Sequence, residues 1–224
     1  APLDARLSLP ADEFSYVLAD WLQRLCVKES FREGISSLRE LLGVAPSQRA
    51  AEQMNQRLSR FAEPFHLNQA PPPADEEGEL LVATADGKGV PMRRPLLERV
   101  RTGPRRGKGE KANKKQMAYV GAVYSIDRYR RTPDDVLDEL QRRQRRQDRP
   151  APQHKQVWAE MTRVLEGESC SGRERLFVEM ACTCQQRDPQ RQKILVCLLD
   201  GEAGLWSMQA EWLSRSVGIL DIFH

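Results

Sequence analysis

Hydrophobic residues recur at helical spacing in the first part of the chain and in denser, strand-like runs after the proline-rich segment near residue 72. Apolar positions three and four residues apart predict an amphipathic helix that begins near Pro10 and Asp12. A second helix is predicted over 29–42, and Gly43 follows where helices commonly end. Ser47 can cap a third helix. The inward positions of this third helix are predicted to be Ala51, Met54, Leu58 and Phe61.

Two apolar runs rich in Leu, Val and Ile each lead into an aspartate followed by glycine. The aspartates are Asp86 and Asp200, and each run predicts a buried strand. A carboxylate that ends such a strand lies at the edge of the sheet. Two of them on neighbouring strands can share divalent cations, because Mg²⁺ is bound by carboxylate oxygens. Asp-Gly is also a common turn, so either dipeptide alone is a weak signal.

The pattern predicts further strands and helices beyond the first aspartate. Strands are expected over 116–126, over 127–131 and over 217–221. A helix should begin at Thr132 and Pro133, a capping hydroxyl followed by a proline in the first turn. Later helices are expected around Val157, Met161, Val164 and Leu165, around Leu176, Phe177, Met180 and Ala181, and near 205–213. This order of elements is that of a ribonuclease H-like α/β fold.

Three consecutive prolines between Ala70 and Glu77 predict a semi-rigid spacer between two domains. We therefore expect a helical, helix-turn-helix-like domain over 1–69, a linker over 70–78 and an α/β domain over 79–224. The chain lacks an initiator methionine and stops directly after an apolar run, so both ends are expected to be cut. The α/β core is accordingly expected to be truncated.

The formal net charge of +3 conceals one strongly basic segment. Between residues 93 and 115, ten Lys or Arg residues stand against two Glu, and interspersed glycines and a proline predict a loop over 93–116. Such a density of positive charge suits a polyanion, whereas the alternative is a solvated loop that only aids solubility. Its position after the first aspartate strand favours nucleic acid. The residues expected to contact DNA are Arg93, Arg94, Arg105, Arg106, Lys108, Lys111, Lys114 and Lys115.

The second and third predicted helices, joined by a turn that contains Gly43, have the spacing of a helix-turn-helix. The outer face of the third helix presents glutamine and arginine side chains, including Arg49 and Arg57, which can reach base edges and phosphates. A helical hairpin without a role in DNA binding has the same spacing. Both interpretations of these helices remain open.

The cysteines and the hydropathy exclude some classes of protein. Five unevenly spaced cysteines favour a reduced, cytoplasmic setting over a disulfide framework. Cys182 and Cys184 suggest zinc, but residues two apart on a helix point about 200° from each other, so core packing is the better interpretation. No apolar run approaches the roughly 20 residues that a membrane span requires.

Several stretches of the α/β part carry longer motifs. The longest run from Thr84 to Pro95 and from Arg106 to Lys115, and shorter ones cover 121–127, 198–201 and 220–224. Together they resemble the ISKra-type bacterial insertion-sequence transposases, which belong to the Mutator-related DDE superfamily. The last stretch is similar to the C/D-x-x-H signature of that superfamily. The resemblance covers most of the chain from about Leu41 onward.

The resemblance implies a transposase that cleaves and joins DNA strands by in-line transesterification, with two Mg²⁺ ions, for which Mn²⁺ can substitute, at the scissile phosphate. Asp86 and Asp200 would be its catalytic, metal-binding carboxylates, and Asp221 and His224 would shape the site. The third acid of the triad should lie beyond residue 224, so this chain is expected to bind DNA without cutting it. Its partners would be terminal inverted repeats, target DNA and further copies of the chain assembled on DNA, at the nucleoid of a bacterial cytoplasm.

Two other classes of function also agree with the residues. One is a non-enzymatic DNA-binding regulator, in which the helix-turn-helix acts and the α/β part serves dimerisation or ligand binding. The other is a ribonuclease H-like nuclease that hydrolyses DNA without joining strands. Only the two enzymes need Asp86 and Asp200 to share an ion, so metal binding separates them from the regulator.

Overall fold

The structure, a computed structural model, describes residues 14–92, 115–141, 149–165 and 168–221. The chain divides into two compact units, Ala1–Ala70 and Pro71–His224, and each is described by itself. The division falls at the start of the proline-rich segment. In the described residues of the second unit, helices combine with a mixed five-stranded sheet, so the fold class is α/β.

The first unit is helical throughout its described part. Its elements are α1 (Tyr16–Lys28), α2 (Phe31–Leu42), α3 (Gln48–Ser59) and α4 (Ala62–Leu67). Serine hydroxyls accept amide hydrogen bonds at the start of the first three helices, because the first N–H groups of a helix have no partner within it. Gly43 ends α2 at φ 72°, a left-handed conformation that glycine adopts without strain.

The core of the first unit lies between α1, α2 and α3. It is formed by Leu22, Ile35, Leu38, Ala51 and Met54. The prediction that Leu58 and Phe61 point inward is wrong, since both side chains are exposed. The buried stripe of α3 ends at Met54, and Phe61 follows the end of the helix, where helical periodicity no longer fixes its direction.

The second unit is built on one five-stranded sheet with helices between its later strands. Its elements are β1 (Leu80–Pro91), β2 (Lys115–Ile126), α5 (Pro133–Leu140), β3 (Gln153–Met161), β4 (Arg163–Leu165), β5 (Glu168–Cys170), α6 (Gly172–Arg187), β6 (Ile194–Leu199), α7 (Ala203–Trp212) and β7 (Val217–Leu220). The strand order is β3-β2-β1-β6-β7, and β4 pairs with β5 apart from this sheet. β2 is antiparallel to both β1 and β3, whereas β1, β6 and β7 are parallel.

One face of the sheet carries the core of the second unit. Leu81, Ala83 and Ala85 of β1 are buried in the same cluster as Phe177 of α6 and Leu205 of α7. Because successive residues of a strand point to opposite faces, the even-numbered residues between them point away from this cluster. The alternation therefore fixes which face of β1 carries Asp86.

Two predictions about the third strand are wrong. Residues 127–131 contain no strand, and the strand is instead β3, where a helix was expected around Val157 and Met161. Within β3, Trp158 is buried and Val157 is exposed, which is the alternation of a strand. This segment forms a strand because it is hydrogen-bonded to β2. Strand preference depends strongly on the neighbouring strand, so the local sequence alone does not predict it.

The prediction that Thr132 and Pro133 begin a helix is confirmed by α5, where Thr132 and Asp135 form a capping box. The last residues of the expected linker over 70–78 make contacts within the second unit. The carboxylate of Glu77 is enclosed in the second unit, and a Cβ at Gly78 would lie 2.5 Å from the carbonyl carbon of Ile126. The end of the proline-rich segment is thus packed against the sheet rather than acting as a spacer.

Candidate functional site

The parallel register between β1 and β6 brings the two predicted aspartates to the same edge of the sheet. The last paired residues are Ala85 and Leu199, and Asp86 and Asp200 follow them directly. Neighbouring strands lie about 4.8 Å apart, so the two backbones are adjacent where the aspartates emerge. β1 itself does not end at Asp86, which is paired with Val120 of β2. The pairing between β1 and β6 ends one residue earlier, at Ala85 and Leu199, so β1 continues beyond the carboxyl end of β6.

A third aspartate, Asp221, lies at the same edge on the next strand. β7 pairs with β6 up to Leu220 and Leu199, and the amide of Asp221 donates a hydrogen bond of 2.7 Å to the carbonyl of Leu199. Asp221 was predicted to shape the site, and the structure brings it beside the strand that ends at Asp200. His224, its predicted companion, lies outside the described residues.

Asp200 also organises the turn that begins α7. Its Oδ1 accepts a hydrogen bond of 2.8 Å from the amide of Glu202, and its carbonyl accepts one of 2.7 Å from the indole of Trp206. An aspartate that only forms a turn would make the first of these contacts too. The Asp-Gly signal at Asp200 therefore has a structural explanation beside the functional one.

The carboxylates at this edge suit a Mg²⁺ site that water and phosphate oxygens complete. Among the described residues, no group of three or more His, Cys, Asp or Glu side chains is close enough to hold a metal ion together. Mg²⁺ is usually bound through one or two carboxylates, with water and phosphate oxygens completing its octahedron. Asp86 and Asp200 fit that kind of site. They do not form a cage made entirely of protein ligands.

Glu202, two residues after Asp200 and marked by no sequence motif, is the centre of a polar cluster. Its Oε1 accepts a hydrogen bond of 3.4 Å from the hydroxyl of Tyr119 in β2 and one of 3.3 Å from Nη1 of Arg173 in α6. The guanidinium carbon of Arg173 lies 5.8 Å from the centre of the Tyr119 ring, within the range of a cation–π contact. The cluster joins three elements of the second unit around one carboxylate.

Burial and charge act together on Tyr119. Burial raises the pKa of the Tyr119 hydroxyl, the negative charge of Glu202 raises it further, and the positive charge of Arg173 lowers it. The net effect is a pKa above the ordinary value of 10.0, so Tyr119 stays protonated and can donate to Glu202 at neutral pH.

The predicted DNA-binding residues of α3 lie on its exposed side. Arg49 and Arg57 are both exposed. A cavity of about 730 Å³ runs along one side of α3 and is lined by Arg57 but not by Arg49. The cavity is lined by Phe14, Ala45, Pro46, Ser47, Ala50, Gln53, Gln56, Arg57 and Arg60.

Most of the basic segment falls outside the described residues. This holds for Arg93, Arg94, Arg105, Arg106, Lys108, Lys111 and Lys114. Lys115 is described and lies in β2, paired with Pro91, so the predicted loop over 93–116 ends earlier than expected. Lys115 and Gln116 belong to a strand because they pair with Pro91 and Val90 at the end of the β1–β2 ladder.

Comparison with known proteins found no family model that matches this chain and no curated protein with a significant match to it. In the part of the chain that the structure describes, no helix has the length and apolar character needed to cross a lipid bilayer.

Proposed function

We propose that the second unit is the core of an insertion-sequence DNA transposase, with a ribonuclease H-like arrangement of strands. The observation that carries the proposal is the parallel register that sets Asp86 beside Asp200. The strand order β3-β2-β1-β6-β7 supports the same proposal. In this sheet β2 runs opposite to the other four strands. In open α/β sheets, ligands commonly bind outside the carboxyl ends of the strands, which is where these aspartates lie.

In this function, Asp86 and Asp200 hold divalent cations through their carboxylate oxygens. Bound Mg²⁺ would supply charge stabilisation at a scissile phosphate and lower the pKa of a coordinated water or hydroxyl. The amide of Glu202 donates a hydrogen bond to the carboxylate of Asp200 and so restricts its orientation. The exposed arginines of α3 support binding of DNA in the first unit, as in a helix-turn-helix.

Titration with Mn²⁺, followed by electron paramagnetic resonance, tests the metal site. Asp86→Asn and Asp200→Asn should each weaken Mn²⁺ binding strongly while leaving the fold intact, because asparagine has nearly the same size. At position 200 it also keeps an oxygen that can accept the hydrogen bond from the Glu202 amide. Asp127→Asn is the matched control. Asp127 follows β2 at the opposite end of the sheet and is exposed, so its variant should bind Mn²⁺ like the wild type.

Assays with DNA separate the three classes of function. For a protein that carries the complete catalytic triad, Mn²⁺-dependent cleavage followed by joining to target DNA supports the transposase, whereas cleavage without joined products supports a ribonuclease H-like nuclease. DNA binding by a chain that binds no Mn²⁺, or whose Mn²⁺ binding is unchanged in both aspartate variants, contradicts the enzyme and leaves the DNA-binding regulator.

A further inference from the structure

Glu202 connects the turn after β6 to three other elements of the second unit. Its carboxylate accepts hydrogen bonds from Tyr119 of β2 and Arg173 of α6, while its backbone amide holds Oδ1 of Asp200 at 2.8 Å. A single residue thus fixes both the start of α7 and the carboxylate that ends β6. The side-chain contacts of Glu202 and the hydrogen bond to Asp200 thus meet in one residue, two positions after Asp200.

Glu202 also lies directly against β1, at the residue that follows Asp86. A Cβ at Gly87 would lie 2.8 Å from Oε2 of Glu202, closer than Cβ contacts normally come, and 3.2 Å from Cε1 of Tyr119. The absence of a side chain at Gly87 therefore lets the carboxylate approach this strand. The glycine of the first Asp-Gly pair has a packing role that does not require a turn, since β1 continues through it.

Arg173 holds Glu202 from the side of α6. Its guanidinium packs against Gly204 in the first turn of α7, where a Cβ would overlap it. Among the described residues, the buried Nε of Arg173 has no hydrogen-bond partner, so the contacts of this side chain are concentrated on the Glu202 end. Removing Arg173 therefore takes away one of the two hydrogen bonds to the Glu202 carboxylate and a packing contact at the start of α7.

We propose that Glu202 and Arg173 are positioning residues, which fix the distance of Asp200 from Asp86 and thereby the affinity of that pair for divalent cations. The proposal rests on the proposed function, because it takes the two aspartates as metal ligands. It goes beyond that function by assigning the alignment of the ligands to a contact between α6 and the turn before α7.

Positioning of the ligands and long-range charge predict opposite changes in cation affinity for Arg173→Met. If Glu202 and Arg173 acted only through long-range charge, removing the positive Arg173 would strengthen cation binding, since like charges repel. If Arg173 acts by holding Glu202, its removal weakens cation binding. Arg173→Met therefore distinguishes the two mechanisms, because methionine keeps much of the apolar stem and removes the hydrogen bonds.

The experiment is a Mn²⁺ titration of the full chain, followed by electron paramagnetic resonance, with thermal unfolding of each variant measured in parallel. Glu202→Ala should weaken Mn²⁺ binding by roughly 10- to 100-fold, the usual effect of removing a group that orients a metal ligand. Arg173→Met should weaken it on the order of tenfold. Glu202→Gln should stay close to the wild type, because the amide oxygen can accept the same two hydrogen bonds.

Arg215→Met is the matched control for Arg173→Met. Arg215 forms an ion pair with Asp188, and its side chain is 32% exposed, against 31% for Arg173. It precedes β7 and so lies at the opposite end of the sheet from the aspartates. This variant should unfold at a temperature similar to that of Arg173→Met while binding Mn²⁺ like the wild type.

Three results would overturn the proposal. Unchanged or tighter Mn²⁺ binding in Arg173→Met rules out positioning by Arg173, and a loss in Glu202→Gln as large as in Glu202→Ala shows that charge, not position, matters. In both cases the proposed function survives if the aspartate variants still lose Mn²⁺. A wild-type chain that does not bind Mn²⁺ contradicts the proposed function and this inference together.

Discussion

The ion pair between Arg187 and Glu77 offers the sharpest test of what holds the second unit together. Nε and Nη2 of Arg187 donate hydrogen bonds of 2.7 and 2.5 Å to the two carboxylate oxygens of Glu77, and the side chains are 1% and 0% exposed. Nη1 of Arg187 also donates to the carbonyls of His154, at 3.0 Å, and Val123, at 3.4 Å. We predict that Arg187→Met strongly destabilises this unit.

The expected magnitude follows from what the substitution leaves behind. Removing one partner of a buried pair costs about 3–5 kcal/mol, because the other charge stays buried without compensation. With a denaturant dependence of about 2 kcal/mol per molar urea, a loss of about 4 kcal/mol lowers the unfolding midpoint by about 2 M. That is a large share of the roughly 5–15 kcal/mol that stabilises an ordinary domain.

Urea unfolding followed by tryptophan fluorescence measures this loss. Because Trp21 lies in the first unit, a Trp21→Phe background makes the signal report on the second unit alone, through Trp158, Trp206 and Trp212. The double variant Glu77→Leu with Arg187→Met removes both charges. It should recover much of the lost stability, since replacing a whole buried pair with apolar residues is often neutral.

The pH dependence gives an independent check on the same pair. Burial alone would raise the pKa of Glu77, but hydrogen bonds and charge from Arg187, with smaller contributions from Ser125 and Lys193, bring it below the ordinary value of 4.5. This contribution to stability is complete above the pKa of Glu77 in the unfolded chain and disappears as the pH falls through the folded value.

In Arg187→Met the shift of the Glu77 pKa on folding changes sign. Burial without a partner raises this pKa above its value in the unfolded chain. Protonation of Glu77 should relieve the buried charge of the variant above the pKa of the unfolded chain, and the wild type should lose its ion pair below that pKa. The difference in unfolding free energy therefore narrows toward acid pH. A midpoint shift below about 0.5 M, or a difference that stays constant between pH 7 and pH 4, would refute this account.

Two further predictions concern single titrating groups. Glu202→Gln should lower the pKa of Tyr119 and Arg173→Met should raise it, because the charge of Glu202 raises that pKa and the charge of Arg173 lowers it; NMR of ¹³C-labelled tyrosine, assigned with Tyr119→Phe, measures both, and shifts in the same direction would contradict the geometry. Burial raises the pKa of Cys184 to about 12, so that at pH 8 roughly one thiol in 10⁴ is ionised. An aromatic disulfide reagent should modify Cys184 only on unfolding, whereas the exposed Cys182 reacts in the folded protein. Rapid modification located at Cys184 by mass spectrometry would show that this cysteine is not enclosed.

Elements whose ends depend on adjacent residues could be predicted from the sequence. Ser47 and Thr132 cap helices, and Gly43 ends one, because each acts on backbone groups within three or four residues. The adjacency of Asp86 and Asp200 was also a reasonable expectation, since both follow apolar strands and parallel strands end at one edge of a sheet. These predictions required no knowledge of how distant segments pack.

Contacts between distant segments could not be predicted in this way. Glu77 and Arg187 are 110 residues apart, and the sequence around Glu77 is typical of an acidic linker. Arg173 and Glu202 are 29 residues apart and meet only because α6 and α7 pack on the same face of the sheet. The strand at Trp158 was missed for the same reason, since its alternation is defined by pairing with β2.

The β1–β2 ladder relates the basic segment to the candidate site. Pro91 pairs with Lys115, so the chain leaves and re-enters the described part of the unit at one point, five residues beyond Asp86 along β1. At about 3.3 Å per residue, that point is roughly 17 Å from the aspartate, a few nucleotide spacings along a DNA strand. β6 stops beside Ala85. Beyond that residue β1 pairs, among the described residues, with β2 alone. Both ends of the basic segment are therefore anchored on the strand pair that carries Asp86, and the proposed function takes this segment as a contact for DNA.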